Sequence, residues 1–151
     1  MTLTTTPRFN HVAMSLPADT LDDGNRADIV RFYHDVFGWD ELPTMTIDRQ
    51  RLVLSAGRVD QFVFLIADEH PMTAPRLDHW GMRVATLDDL DELLARTRAF
   101  AEHDDRVDIV DYSVDDQEVV KIHAFYVRYL LPMMVEVQYW EWPGGDPFAD
   151  D

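Results

Sequence analysis

The apolar positions of this chain change period several times, and each change marks an element. From residue 8 to 16 they alternate with polar ones. Period two places Phe9, His11, Ala13 and Ser15 on one face of a strand and Val12 and Met14 on the other. Pro17 to Gly24 is polar and turn-like. From about Asn25 to Phe37 the residues Ile29, Val30, Phe32, Tyr33, Val36 and Phe37 recur at helical spacing, and Gly38 is placed to end a helix. Strands are expected at about 39–47, 51–56 and 61–67, the last dense in β-favouring residues. Residues 68–75 read as a loop carrying Pro71 and Pro75.

Alternation returns over 77–84. Thr86-Leu87-Asp88-Asp89 then has the spacing of a capping box. The helix it opens is expected to reach about Ala101 and to bury Leu87, Leu90, Leu93, Leu94 and Phe100. Strands follow at about 107–112, 119–129 and 134–141, with a turn at Asp115-Asp116-Gln117. The order is β-α-β-β-β twice. It predicts an α+β fold and argues against a parallel doubly wound sheet.

The two halves also match residue by residue at their starts. Asn10-His11-Val12-Ala13-Met14 corresponds to Asp78-His79-Trp80-Gly81-Met82. This reads as an internal duplication within a single domain, with modules at about 8–68 and 77–142 and one histidine near the start of each.

Composition narrows the function. Hydrophobic residues make up 46% of the 151, enough for a substantial core. A formal charge of -16 argues against non-specific nucleic-acid binding, which needs Lys and Arg on phosphates, and against an anionic membrane surface. The absence of cysteine excludes disulfides, thiolate metal sites and cysteine nucleophiles. No secretion signal and no membrane span is seen, so the cytoplasm is the expected location. No GxGxxG, P-loop, HExxH or GxSxG motif is present.

Glu136 is an acid inside an apolar strand, where an unpaired carboxylate is costly to bury. Alternation puts Met134, Glu136, Gln138 and Trp140 on one face and Val135, Val137 and Tyr139 on the other. Together with His11 and His79 it makes two imidazoles and one carboxylate, the facial set of non-haem Fe(II) oxygenases. Fe(II) or Mn(II) is favoured; Zn(II), Ni(II) or Co(II) would also suit the donors. His123 and Tyr126 are candidate acids or bases on opposite faces of their strand. Arg83 shares the face of His79 and is a candidate for holding an anionic group. Phe64, Phe125 and Trp140 are candidate aromatic walls of a substrate site.

The doubled β-α-β-β-β order, with a histidine opening each copy and a glutamate in the last strand, resembles the vicinal oxygen chelate superfamily. That group includes glyoxalase I, extradiol ring-cleaving dioxygenases, fosfomycin-resistance thiol transferases and bleomycin-binding proteins. The likeness spans about residues 8–142. It implies a curved, open sheet enclosing a cavity, a homodimer, and ligand positions matched by His11, His79 and Glu136. In glyoxalase I the fourth strand adds a Glu; here Phe64 stands there, which fits three-ligand members. Many members carry an Asp-Pro-Asp-Gly turn before the last strand; this chain has Arg128-Tyr129-Leu130-Leu131-Pro132-Met133. The resemblance implies a metal-dependent enzyme that chelates two oxygens of a small hydrophobic or aromatic substrate. Dioxygenase chemistry stands ahead of isomerase or lyase chemistry. The rival is a metal-free protein that sequesters a hydrophobic ligand.

Overall fold

The computed structural model describes residues 6–147. The chain forms two compact units, Met1–Met72 and Thr73–Asp151. Each is built on one open, four-stranded sheet.

In the first unit the order is β1 (His11–Pro17), a 3-10 turn (Ala18–Leu21), α1 (Asp23–Phe37), β2 (Asp40–Glu41), β3 (Arg51–Arg58) and β4 (Gln61–Asp68). The sheet runs β1-β4-β3-β2, with β1 parallel to β4 and the other pairs antiparallel. The alternation of β1 is as expected: Met14 and Leu16 are buried, whereas His11 and Ala13 are exposed. α1 buries Ile29, Phe32, Tyr33 and Val36, the i, i+3, i+4, i+7 stripe of an amphipathic helix. Gly38 ends it in the left-handed region (φ 69°). The Gly38 N–H donates to the His34 carbonyl, the αL closure of a helix end, and the Trp39 N–H to the Tyr33 carbonyl. It lays the Trp39 ring on Tyr33 at 5.2 Å.

The second unit repeats the plan: β5 (His79–Arg83), α2 (Leu87–Ala101), β6 (Val107–Asp116), β7 (Lys121–Tyr129) and β8 (Met134–Glu141). Its sheet runs β5-β8-β7-β6, again with the first strand parallel to the last. Thr86 caps α2 by accepting from the Asp89 N–H at 3.1 Å. α2 lies against β6, β7 and β8. Leu90 and Leu94 are buried, as are Phe125, Val127, Val135 and Val137 of β7 and β8. Each such side chain contributes roughly 1.5–3 kcal/mol of transfer free energy. Leu87, Leu93 and Phe100 are only half-buried. Thr97 is buried instead, because its hydroxyl donates to the Leu93 carbonyl at 2.7 Å and loses little by leaving water.

Several expected boundaries move. The strand expected at 39–47 shrinks to Asp40–Glu41. The Leu42 carbonyl accepts from the Met45 and Thr46 N–H groups and turns the chain out of the sheet, and Pro43 has no N–H for a ladder. β6 runs past 112 to Asp116 because a register shift between Val110 and Ser113 absorbs an extra residue. The hairpin turn therefore falls at 117–120 rather than at Asp115-Asp116-Gln117, with Glu118 left-handed at φ 66°. β7 accordingly starts at Lys121, not at 119.

Among the described residues no helix is long and apolar enough to cross a membrane.

Candidate functional site

The site is assembled on one face of the second sheet. The parallel β5–β8 register sets His79 opposite Met134, Gly81 opposite Glu136 and Arg83 opposite Gln138. The antiparallel β7–β8 register sets Tyr126 opposite Glu136, Ala124 opposite Gln138 and Ile122 opposite Trp140. Directly opposed residues share a face. His79, Gly81, Arg83, Glu136, Gln138, Trp140 and Tyr126 therefore project to the same side, away from α2.

His79 is fixed by its own backbone. Its Nδ1 lies 2.8 Å from the Leu77 carbonyl, which can only accept, so Nδ1 carries the hydrogen. In the neutral ring Nε2 is then a bare lone pair. It lies 3.4 Å from Oε2 of Glu136. Two lone-pair-bearing atoms facing each other suit a cation between them or a second proton on the imidazole. An imidazole nitrogen and a carboxylate oxygen are donor types that a divalent transition-metal ion would take. The donor set thus fits a divalent metal.

Glu136 is only 7% exposed and is held from several sides. The Tyr126 hydroxyl donates to Oε1 at 2.5 Å. The Gln138 side-chain amide donates to Oε2 at 2.7 Å. Trp140 Nε1–H in turn donates to the Gln138 amide oxygen at 2.9 Å, which fixes which end of that amide faces the carboxylate. The hydrogen bond to Glu136, reinforced by burial and by the carboxylate's charge, pushes the Tyr126 hydroxyl up to about 12. Tyr126 therefore keeps its proton at neutral pH and serves Glu136 as a permanent donor. Its ring also meets His79 edge-on at 5.1 Å. Gly81 leaves the ground before Glu136 open: a Cβ there would come no nearer than 3.8 Å to Oε2.

Arg83 and Trp140 continue this face, with the guanidinium 5.6 Å from the Trp140 ring centre. Arg83 is also paired with Asp146.

The other expected residues lie elsewhere. His123 sits on the opposite face of β7, 8% exposed. Its Nδ1 lies 2.5 Å from the Tyr112 hydroxyl and its Nε2 2.8 Å from Glu141. Phe125 is fully buried on that same α2-facing side, so it belongs to the core and walls nothing on the site face. The reason is the regular β7–β8 register, which sends odd and even residues of β7 to opposite sides.

His11 and Phe64 belong to the first unit. There the Phe62 ring stacks on His11 at 4.9 Å. His11 Nδ1 lies 2.7 Å from the Asn10 side-chain oxygen, which again leaves Nε2 as the lone-pair nitrogen. Phe64 pairs with Ala13 as Glu136 pairs with Gly81, so it occupies the duplicated position of the glutamate. It is half-buried beneath the Arg51 guanidinium, 5.2 Å from the ring centre. Among the described residues no group of three or more His, Asp or Glu side chains gathers as a metal cluster.

Sequence reasoning does not find Gln138 and the Trp140 donor as supports of Glu136. Their spacing of two residues on one strand face is the available signal.

No family model matches the chain, and no curated protein matches it. Solved structures do. A lactoylglutathione lyase from Agrobacterium tumefaciens superposes with a TM-score of 0.61 at 19% identity, over 89% of this chain and 94% of that one. A fosfomycin resistance protein, FosX, from Mesorhizobium loti gives 0.61 at 14%, over 89% and 93%. A glyoxalase family protein from Bacillus anthracis, itself of assumed function, gives 0.58 at 17%, over 91% and 98%. The chain shares the fold of these glyoxalase-like structures: two four-stranded open sheets with two helices.

Proposed function

We propose that this chain is a metal-dependent enzyme of the glyoxalase and dioxygenase type, with His79 and Glu136 as two ligands and His11 as the third. One observation carries the reading: the Leu77 carbonyl fixes His79 so that its Nε2 lone pair faces Glu136 Oε2 at 3.4 Å. Fe(II) or Mn(II) suits two imidazoles and a carboxylate best; Zn(II), Ni(II) and Co(II) are the alternatives. Such an ion supplies Lewis-acid stabilisation of charge developing on two adjacent substrate oxygens.

The remaining work falls to the chain's own residues. Tyr126 and Gln138 hold the two oxygens of Glu136 and keep the carboxylate in one orientation. Gly81 leaves room for a small substrate beside it. Trp140 presents an aromatic surface on the same face, which suits a hydrophobic or aromatic substrate. Phe64, in the position duplicating Glu136, offers no fourth ligand. That favours dioxygenase chemistry over isomerase or lyase chemistry, because a three-ligand set keeps positions open for substrate and oxygen.

Oxygen uptake by the Fe(II)-loaded protein on catechol-like and enol-forming substrates tests this. Uptake that disappears in Glu136→Ala is expected. Turnover of the same substrates without oxygen uptake would replace the dioxygenase reading by the isomerase or lyase one.

The second reading is a metal-free protein that sequesters a hydrophobic ligand. It is supported by the Trp140 ring on the site face and by Phe64 standing where a further ligand would be duplicated. Ligand binding unchanged by a chelator and by the His11→Ala/Glu136→Ala double variant would establish it.

A further inference from the structure

Arg83 lies two residues beyond Gly81 on β5, so its backbone is about 7 Å from the point on that strand facing Glu136. Its guanidinium rests over the Trp140 ring, which orients the fork without using any of its N–H donors. The carboxylate paired with it, Asp146, comes from the turn that follows β8. In that turn the Gly145 N–H donates to the Trp142 carbonyl at 3.1 Å and Gly145 takes φ 87°, a conformation that favours glycine. The turn thus brings a carboxylate from beyond β8 back to the site-facing side chain of β5. Asp146 is followed by Pro147 and then by residues outside the described range. A guanidinium stacked on an aromatic plane presents a planar fork of donors that matches a carboxylate or phosphoryl group two bonds at a time.

We propose that Arg83 is the seat for an anionic group of the substrate, a carboxylate or a phosphoryl oxyanion, and that Asp146 occupies this seat until the substrate displaces it. The inference rests on the reading of Glu136 as the reacting end of the site and deepens it. The substrate is then a small molecule with two adjacent oxygens at one end and an oxyanion a few bonds away. The turn after β8 becomes a built-in competitor. In a chain of net charge -16, a cation committed to one anion seat also offsets, locally, the repulsion an anionic ligand meets on approach.

The test follows the Arg83 Nε–H resonance while acetate, and separately inorganic phosphate, is titrated into the protein as purified at constant ionic strength. Wild type, Asp146→Asn, Asp146→Glu and Arg83→Gln are compared. Saturable binding that tightens about tenfold in Asp146→Asn and stays near wild type in Asp146→Glu is expected. Arg83→Gln, read by the Trp140 indole N–H instead, is expected to lose saturable binding of both anions. Tighter binding of acetate than phosphate assigns the seat to carboxylates, and the reverse to phosphoryl groups. Equal affinities in wild type and Asp146→Asn, or unchanged binding in Arg83→Gln, would overturn the proposal. The same titration on Glu136→Ala keeps the two readings apart. Anion binding that survives while metal is absent from wild type sinks the metal reading alone. Metal binding with no effect of Asp146→Asn sinks the anion seat alone.

Discussion

The Tyr126 hydroxyl donates to Oε1 of Glu136 across the β7–β8 pair at 2.5 Å. The two residues are directly opposed in the ladder, so the contact is set by strand register rather than by a flexible loop. It satisfies one oxygen of a nearly buried carboxylate and leaves the other turned toward His79. Tyr126→Phe removes that donor and little volume. Metal affinity is expected to fall about 10- to 100-fold, the usual cost of losing an outer hydrogen bond to a ligand. A competition titration against a chelator measures it. Unchanged affinity would mean that Oε1 needs no donor.

The Trp140 donor acts one step further out. Trp140→Phe keeps the aromatic surface but frees the Gln138 amide to present its oxygen to Glu136 Oε2. Metal affinity should drop roughly tenfold by the same outer-shell logic. Replacing Trp140 by 3-benzothienylalanine, which keeps the bicyclic shape but has no N–H, should lower affinity to the same extent. Wild-type affinity in that variant would show that the ring's shape, not its hydrogen bond, matters.

Gly81 separates space from folding. Gly81→Ala adds a Cβ at ordinary contact distance from Glu136 and should leave both melting temperature and metal content near wild type. Gly81→Leu fills the open ground before the carboxylate. Activity is expected to disappear while the melting temperature stays close to wild type. A Gly81→Leu protein with full activity would place the substrate elsewhere.

Acid stability is governed away from the site. Asp104 accepts from Arg106 Nη2 at 2.6 Å and from the Tyr129 hydroxyl at 2.6 Å. These hydrogen bonds, Arg106 first, hold its carboxyl well below the usual range against the opposing effect of burial. A depressed folded-state value means stability that is present above the unfolded carboxylate range, about 4, and is lost as pH falls below it. Asp104→Asn should therefore cost about 2 kcal/mol at pH 7, typical for hydrogen bonds to a charged group, and measurably less at pH 3, inside the window between the unfolded and the lower folded-state value. Denaturant unfolding at both pH values checks this. Equal losses at the two would show that the carboxylate's charge is not the source.

Much of this is legible in the sequence because it follows from alternation and repetition. The matched histidines of β1 and β5, the odd glutamate of β8 and the Phe64 that replaces it in β4 all fall where period two places them. The helix ends are legible because Gly38 and Thr86 have local chemistry that works without tertiary contacts. What escapes depends on pairing. Leu42 turns the chain out of the sheet through two backbone hydrogen bonds, marked in the sequence only by the neighbouring Pro43, and the bulge between Val110 and Ser113 lengthens β6 with no compositional mark. The pairing of Tyr126 with Glu136 needs the β7–β8 register, which is fixed by the turn at Leu130, a non-glycine residue at φ 57° that no turn motif announces. Phe125 is core rather than wall for the same reason: that register turns it toward α2, and an aromatic side chain in a strand suits either face equally well. The anchoring of His79 is invisible for a simpler reason: its partner is a backbone carbonyl.

The central claim is that His79 and Glu136 hold a metal ion. Elemental analysis of protein purified without chelator or histidine tag tests it directly, beside His79→Ala and Glu136→Ala variants shown by circular dichroism to be folded. The account predicts close to one equivalent of iron or manganese per site in the wild type and loss of it in both variants. A wild type that carries no metal, and takes up none from added Fe(II), Mn(II) or Zn(II), would contradict it.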